Sequence, residues 1–274
     1  MQNTCLSIAG FDGSGGAGIQ ADLKTFSALG CYGMTVLTAI PIQNTCGVKK
    51  CYDLPLTCIA DQLEAIFEDI VPNSIKIGML FSTPIIECVS NFLEKHAPNI
   101  PIVLDPVMMA KSGDPLLLPE AMESLKTRLI PLATIITPNL PEAYALTQSS
   151  PTDMTQLAET LMTMHAKNVL LKGGHHDQQD QSNDLLLQQN HPPLWLHGPR
   201  IPSKNTHGTG CTLSAAIAAF LAQGYSLEQA CRQAKKYLLG AIQASQHKSV
   251  GKGQGPVHHF YAMWEPSTAE KCAC

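Results

Sequence analysis

The chain has 274 residues, 45% hydrophobic, 15% charged and only 5% aromatic, the profile of a globular protein and not of a disordered or fibrous one. Eighteen basic against twenty-two acidic side chains give a formal charge of -4, and no Lys/Arg run is present to neutralise a row of phosphates, so a nucleic acid polymer is not an expected partner. No apolar run is long enough for a membrane span and the first sixteen residues lack the basic opening of a secretory signal, which makes the cytoplasm the expected location and a membrane an unexpected partner.

In chain order, short apolar runs alternate with amphipathic segments, the pattern of crossover units that build a mostly parallel sheet in an α/β protein. Residues 5–9 read as the first strand. Gly13 to Gly18 follow as a literal G-x-G-x-x-G, and Ile19, Leu23 and Phe26 then recur at helical spacing until Gly30 supplies a stop. Residues 35–42 read as the second strand, ending in Pro41-Ile42-Gln43-Asn44 without a carboxylate. A dinucleotide loop needs an acid there for the ribose, so the glycines alone leave either a nicotinamide cofactor or a tight strand-to-helix turn open.

Ile59, Leu63, Ile66, Phe67 and Ile70 mark the next helix, 75–78 a strand, and Ser82-Thr83-Pro84 a helix start with a capping hydroxyl. The strand 102–105 ends on Asp105, followed by a stretch through Lys111 and Ser112 to Asp114. The strand 134–137 runs into Pro138-Asn139-Leu140-Pro141-Glu142. Asn139 and Glu142 either cap a helix or offer an amide oxygen and a carboxylate to a hydrated magnesium ion, which keeps several waters and bridges to phosphates. The strand 169–172 ends on Lys172, with Gly173, Gly174 and His175 behind it, and 178–189 reads as a solvent-facing polar turn.

The last cluster is Asn205-Thr206-His207-Gly208-Thr209-Gly210-Cys211-Thr212, which leads into an Ala-rich helix. Backbone N–H groups and the helix dipole make such a start an anion site, and they stabilise a thiolate at Cys211. Residues 1–264 are expected to form one domain, with 265–274 a flexible tail. Most of the ten cysteines, scattered from Cys5 to Cys274, read as small buried hydrophobes and not as a disulfide framework. The adjacent pairs His175-His176 and His258-His259 lack the spacing of a zinc site. Neither a Walker A loop, nor protein-kinase motifs, nor a G-x-S-x-G elbow occurs.

Taken together, Ile8-Ala9-Gly10, Gly15 to Lys24, Gln43-Asn44-Thr45, Lys76 to Leu80, Asp105 to Met108, Thr137 to Ala143, Lys172 to His175 and His207 to Thr212 resemble the ribokinase-like superfamily. Within it, the chain is similar to the hydroxymethylpyrimidine and phosphomethylpyrimidine kinases of thiamine biosynthesis over residues 5 to about 261. The resemblance implies a three-layer α/β/α sandwich with a central, mostly parallel sheet, commonly a homodimer. It also implies ATP- and Mg2+-dependent phosphorylation of 4-amino-5-hydroxymethyl-2-methylpyrimidine and then of its monophosphate.

By that resemblance the small-molecule pyrimidine lies near Gly10, Ala17, Asp22, Gln43 and Met79. ATP phosphates meet Lys172, Thr206, His207, Gly208, Thr209 and Gly210. Magnesium is held near Asp105, Asn139 and Glu142. Cys211 acts as base where sugar kinases of the superfamily carry aspartate, with Gly208, Gly210 and Lys172 completing the catalytic group. Phe11 and Pro41 depart from the usual family pattern beside the ring. A pyridoxal kinase is the alternative reading, a nicotinamide-dependent oxidoreductase a remote one, and a binding protein without catalysis a third.

Overall fold

The computed structural model describes residues 2–110, 113–149, 153–174 and 180–264. Lys111, Ser112, His175, His176 and the tail beyond 264 lie outside them. The first strand, β1 (Thr4–Ala9), leads through the glycine-rich turn into α1 (Gly18–Ala28), which stops at Leu29-Gly30 with Gly30 at positive φ. Then come β2 (Tyr32–Leu37), β3 (Ala39–Asn44), β4 (Gly47–Asp53), α2 (Leu56–Asp69), β5 (Ser74–Ile77), α3 (Thr83–His96) and β6 (Ile102–Leu104). A mixed helical stretch over 119–129 contains α4 (Met122–Ser124) and precedes β7 (Ile135–Ile136), α5 (Leu140–Thr147) and α6 (Met154–Thr163). The chain continues with β8 (Asn168–Leu171), β9 (Asp184–Gln188), β10 (Leu194–Leu196), α7 (Thr209–Ala222) and α8 (Leu227–Ser245).

Eight strands form one sheet in the order β10-β9-β8-β7-β6-β5-β1-β2. All pairs are parallel except β8–β9 and β9–β10. Alternate side chains leave opposite faces, and each face meets helices. Ile8, Ile75 and Ile77 pack with Leu63 of α2 and Val89 of α3, whereas Cys5, Val103 and Ile135 pack with Phe26 of α1 and the Ala-rich face of α7. The expected three-layer α/β/α sandwich is therefore present. The chain runs from β1 to β2 on one side and later places β5 on the other, so the strand order reverses between β1 and β5, where open sheets form a ligand crevice.

Four local expectations need correction. The strand expected over 35–42 breaks at Thr38, whose N–H donates to the Ala9 carbonyl and whose hydroxyl donates to the Met79 carbonyl. Beyond it, β3 and β4 leave the main sheet as a separate antiparallel ribbon, and Pro41 is tolerated because such a ribbon has open edges. The described part of 178–189 is not all a turn: Asp184 to Leu187 is buried strand, and its leucines pair with β8. Ser82 precedes α3, but its side chain makes no capping hydrogen bond. Of the eight described cysteines, all unpaired, only Cys5, Cys31 and Cys231 are buried; Cys46 is exposed and Cys51, Cys58, Cys88 and Cys211 are half-buried.

β9 carries its own anchor. Asp184 accepts from the Gly173 N–H at 3.0 Å and pairs with Lys235 of α8 at 2.7 Å, both side chains nearly buried. Removing one partner strands the other charge. Lys235→Met is expected to cost about 3–5 kcal/mol of stability, measured by denaturant unfolding, while Lys235→Arg retains most of it.

Candidate active site

The two glycine-rich segments, far apart in sequence, cross each other at the carboxyl end of the sheet. The first is folded by Asp12, a residue that sequence reasoning passed over. Its buried carboxylate accepts from the Ser14 N–H and hydroxyl at 2.9 and 2.7 Å, and from the Gly16 and Ala17 N–H groups at 3.0 and 2.7 Å. His207 Nε2 lies 2.8 Å from the same carboxylate. Although burial pushes the Asp12 carboxyl up, the hydrogen bonds from His207, Ser14 and Ala17 hold it well below the usual carboxylate range. The available signal was an Asp opening a Gly-rich turn, a position that favours side-chain to backbone capping.

Asp12 also decides against the dinucleotide reading, because a pyrophosphate would have to compete with a fixed carboxylate for the loop amides. The crossing itself requires glycine. Gly208 has φ 80° and a Cβ there would overlap the Gly16 carbonyl, while a Cβ on Gly16 would overlap the His207 ring. Lys24 Nζ donates to the Gly15 carbonyl at 2.7 Å, and Thr206 donates to Gln254 at 2.5 Å, which fixes the flanks.

Gly208 is the N-cap of α7, so Thr209, Gly210 and Cys211 form its first turn. First-turn amides have no partner within the helix and face outward with the positive end of its dipole. Opposite them stand the strand ends. A Cβ on Gly210 would lie 3.3 Å from Asp105 Oδ2 and 3.4 Å from Lys172 Nζ. Lys172 Nζ is 2.9 Å from Asp105 Oδ1 and 3.8 Å from Glu142 Oε2. Asp105 further accepts from the Thr137 and Ser214 hydroxyls at 3.3 and 3.4 Å.

Asn139 and Glu142 do make a capping box on α5: Asn139 Oδ1 accepts from the Glu142 N–H at 2.9 Å and Glu142 Oε2 from the Asn139 N–H at 2.8 Å. The cap does not exclude function, since it aims the carboxylate at Lys172. Burial pushes the Glu142 carboxyl up to about 7, with Lys172 opposing and Asp105 assisting. Lys172 is held above its ordinary range, burial notwithstanding, by Asp105 and Glu142.

Two expectations change here. Burial pushes the Cys211 thiol up to about 11, and the pull of Lys76 and the Gly18 N–H does not offset burial together with Asp22 and Asp105. Asp22, expected beside the ring, lies in the protein interior. Its carboxylate has no exposure, and Lys76 Nζ at 2.8 Å and the Ser7 hydroxyl at 2.5 Å both bind Oδ2. The other four expected ring contacts do gather. Gly10 lies under Met79, with 2.9 Å from a Cβ there to Sδ; Ala17 adjoins it at the start of α1; and Gln43 Nε2 donates to the Phe11 carbonyl at 3.3 Å. Beside them Ala39, Met79 and Leu116, with Val48, Phe81 and Val107, make a small apolar cluster under the β3–β4 ribbon.

A model of the phosphomethylpyrimidine kinase family matches residues 12–258. The chain belongs to that family. It is 49% identical over 263 residues to the hydroxymethylpyrimidine/phosphomethylpyrimidine kinase of Salmonella typhimurium, an alignment covering 94% of this chain and 98% of that one. A solved phosphomethylpyrimidine kinase from Clostridium difficile, 46% identical, superposes with a TM-score of 0.77 over 88% of this chain and all of that one. The pyridoxal kinase of Bacillus subtilis, solved with ADP, reaches 0.88 at 34% identity over 97% of this chain and all of that one. This family member is thus a kinase by relationship.

Gly208→Ala tests the crossing: with circular dichroism unchanged, ATP affinity measured by calorimetry is expected to fall at least about tenfold, the loss of one charge-assisted contact.

Proposed function

We propose that this chain transfers the γ-phosphoryl group of ATP to the hydroxymethyl oxygen of 4-amino-5-hydroxymethyl-2-methylpyrimidine, and then a second phosphoryl group to the resulting monophosphate. The observation that carries it is the convergence of the α7 N-terminus, Lys172 and the Asp105–Glu142 carboxylates beside the apolar cluster. One side suits phosphates and the other a small ring. Met79, Gly10 and Ala17 supply apolar surface, and the Gln43 amide can both donate to and accept from an aminopyrimidine.

Within the segment Thr206, His207, Gly208, Thr209 and Gly210, the Gly208 and Gly210 N–H groups cradle the phosphates, the His207 and Thr209 N–H groups donating instead to the Gly255 and Thr206 carbonyls, and Lys172 turns its ammonium to the phosphate oxygens. Among the described residues no group of three His, Cys, Asp or Glu side chains could enclose a metal ion. Two carboxylates already sharing one ammonium do fit a magnesium ion that keeps most of its waters. Asp105 and Glu142, with Asn139 fixing Glu142, would hold it, and when bound it would neutralise charge on the phosphate oxygens.

In the transfer, the bond from the γ-phosphorus to the bridging oxygen of ADP breaks as the substrate oxygen bonds to that phosphorus, and the alcohol proton must leave. Such transition states are loose, so positioning and charge stabilisation supply most of the rate and the proton departs late. Cys211 is the proposed acceptor, in the fraction of molecules that carry it as thiolate. A homodimer in the cytoplasm belongs to the same proposal. Among the described residues no helix is long and apolar enough to cross a membrane.

Mass spectrometry of products formed from ATP, magnesium and the pyrimidine is expected to show two successive phosphate additions. Phosphorylation of pyridoxal alone would overturn the assignment in favour of a pyridoxal kinase. In the same assay Cys211→Ala is expected to bind ATP normally and lose turnover by about 100-fold or more, the usual contribution of a general base. Because Glu142 is charged only above about pH 7, kcat/KM for ATP is expected to rise with pH across that region. Glu142→Gln should lower activity and remove the midpoint.

A further inference from the structure

The chain that follows α8 reaches back to the start of α7 and brings there a buried side chain to which the reaction above assigns no task. His259 is 4% exposed, and its Nε2 lies 3.1 Å from the Thr212 hydroxyl in the first turns of α7. The same hydroxyl lies 2.8 Å from the Gly208 carbonyl, which also accepts from the Thr212 N–H at 2.8 Å. A carbonyl can only accept, so the single hydroxyl proton of Thr212 goes to Gly208. The Thr212 oxygen then accepts from the ring, and His259 Nε2 carries the proton that it donates.

His259 is itself held from the side of α8. Its carbonyl accepts from the Tyr237 hydroxyl at 2.7 Å, and the N–H of its neighbour His258 donates to the Ala241 carbonyl at 3.0 Å. A little earlier, the Gly255 carbonyl accepts from the His207 N–H at 3.0 Å. The segment therefore ties α8 to the glycine-rich loop at residues 207 and 212, on either side of Gly208. Helix α7 needs such a tie, because its N-cap is a glycine at φ 80° with no side chain to cap the turn, and a second glycine follows at 210. Glycine leaves a turn more freedom to lose than any other residue does. The Gly208–Thr209 peptide, whose carbonyl is held, lies between the two N–H groups, Gly208 and Gly210, that the reading above gives to the phosphates.

We propose that His259 is a positioning residue of the phosphate site: through the Thr212 hydroxyl it holds the Gly208 carbonyl, so that the Gly208 and Gly210 N–H groups are already aimed when the nucleotide arrives. The inference rests on the reading that the start of α7 meets the phosphates of ATP. Donors fixed in advance need no reorganisation on binding, and the affinity gained is the ordering cost that is avoided. His259 acts through Thr212 and not on the phosphates.

The test compares three variants of the full-length protein by calorimetric titration with ATP and magnesium, at a temperature where circular dichroism shows each folded. His259→Leu, which keeps the bulk and removes the donor, is expected to weaken ATP binding by about three- to tenfold, the worth of one hydrogen bond. His259→Gln, whose amide N–H can stand in for Nε2–H, is expected to stay within about twofold of the parent. Thr212→Val breaks the same relay at its middle and is expected to match His259→Leu, and adding His259→Leu to it should cost no further affinity. KM for the pyrimidine should be unchanged throughout. A histidine that merely packed the C-terminal segment would lower thermal stability in both His259 variants and leave ATP affinity at the parent value; that result, or a loss in His259→Gln equal to that in His259→Leu, would overturn the proposal. If His259→Leu does not fold, His259→Gln against Thr212→Val decides. Hydrogen exchange without nucleotide separates this inference from the reading it rests on, since amides 208–211 should lose protection in His259→Leu and keep it in His259→Gln. A parent protein that bound no ATP would overturn the reading, and the exchange result would then decide the role of His259 alone.

Discussion

The site depends on one carboxylate. Asp12 gathers the amides of its own loop and, through His207, the loop that opens α7. Without it the two glycine segments would be separate flexible turns, each losing more conformational entropy on ordering than other residues would. With it, Gly208 can ride against the Gly16 carbonyl, and the first turn of α7 is aimed at Asp105 and Lys172 from the far side of the crevice. The anion site is thus a product of tertiary structure, and neither glycine motif makes it alone.

Around that point charges are layered. Asp22 and Lys76 lie wholly buried below, and Lys172 with Asp105 and Glu142 lies at the rim. The lower layer is fixed, since neither member meets solvent. The upper layer is adjustable: Glu142 is poised near neutrality and Lys172 divides itself between two carboxylates, so an incoming anion or cation can redistribute the partners without moving the sheet.

The architecture was legible where one period dominated. Short apolar runs at 5–9, 75–78, 102–105, 134–137 and 169–172 each fell on a central parallel strand, because such strands are buried on both faces. The β3–β4 ribbon was hidden because β2 runs into it with only Thr38 between, and β9 because its three leucines sit in a run of Gln, Asp and Asn. In the site, Cys211, Lys172, Asp105, Asn139 and Glu142 were visible as polar residues closing strands or opening helices. The burial and pairing of Asp22 could not be read, since its partner Lys76 is 54 positions away and no local pattern signals an ion pair across that distance. Asp12 escaped notice because the glycines beside it carry the more conspicuous pattern.

Hydrogen exchange on Asp12→Asn measures the central constraint directly, because the amides of both loops are protected only while they are held together. Protection should fall in residues 12–18 and 205–211 together, with β1, β5 and β6 unchanged. Protection retained at 205–211 in that variant would contradict the dependence of the α7 anion site on Asp12.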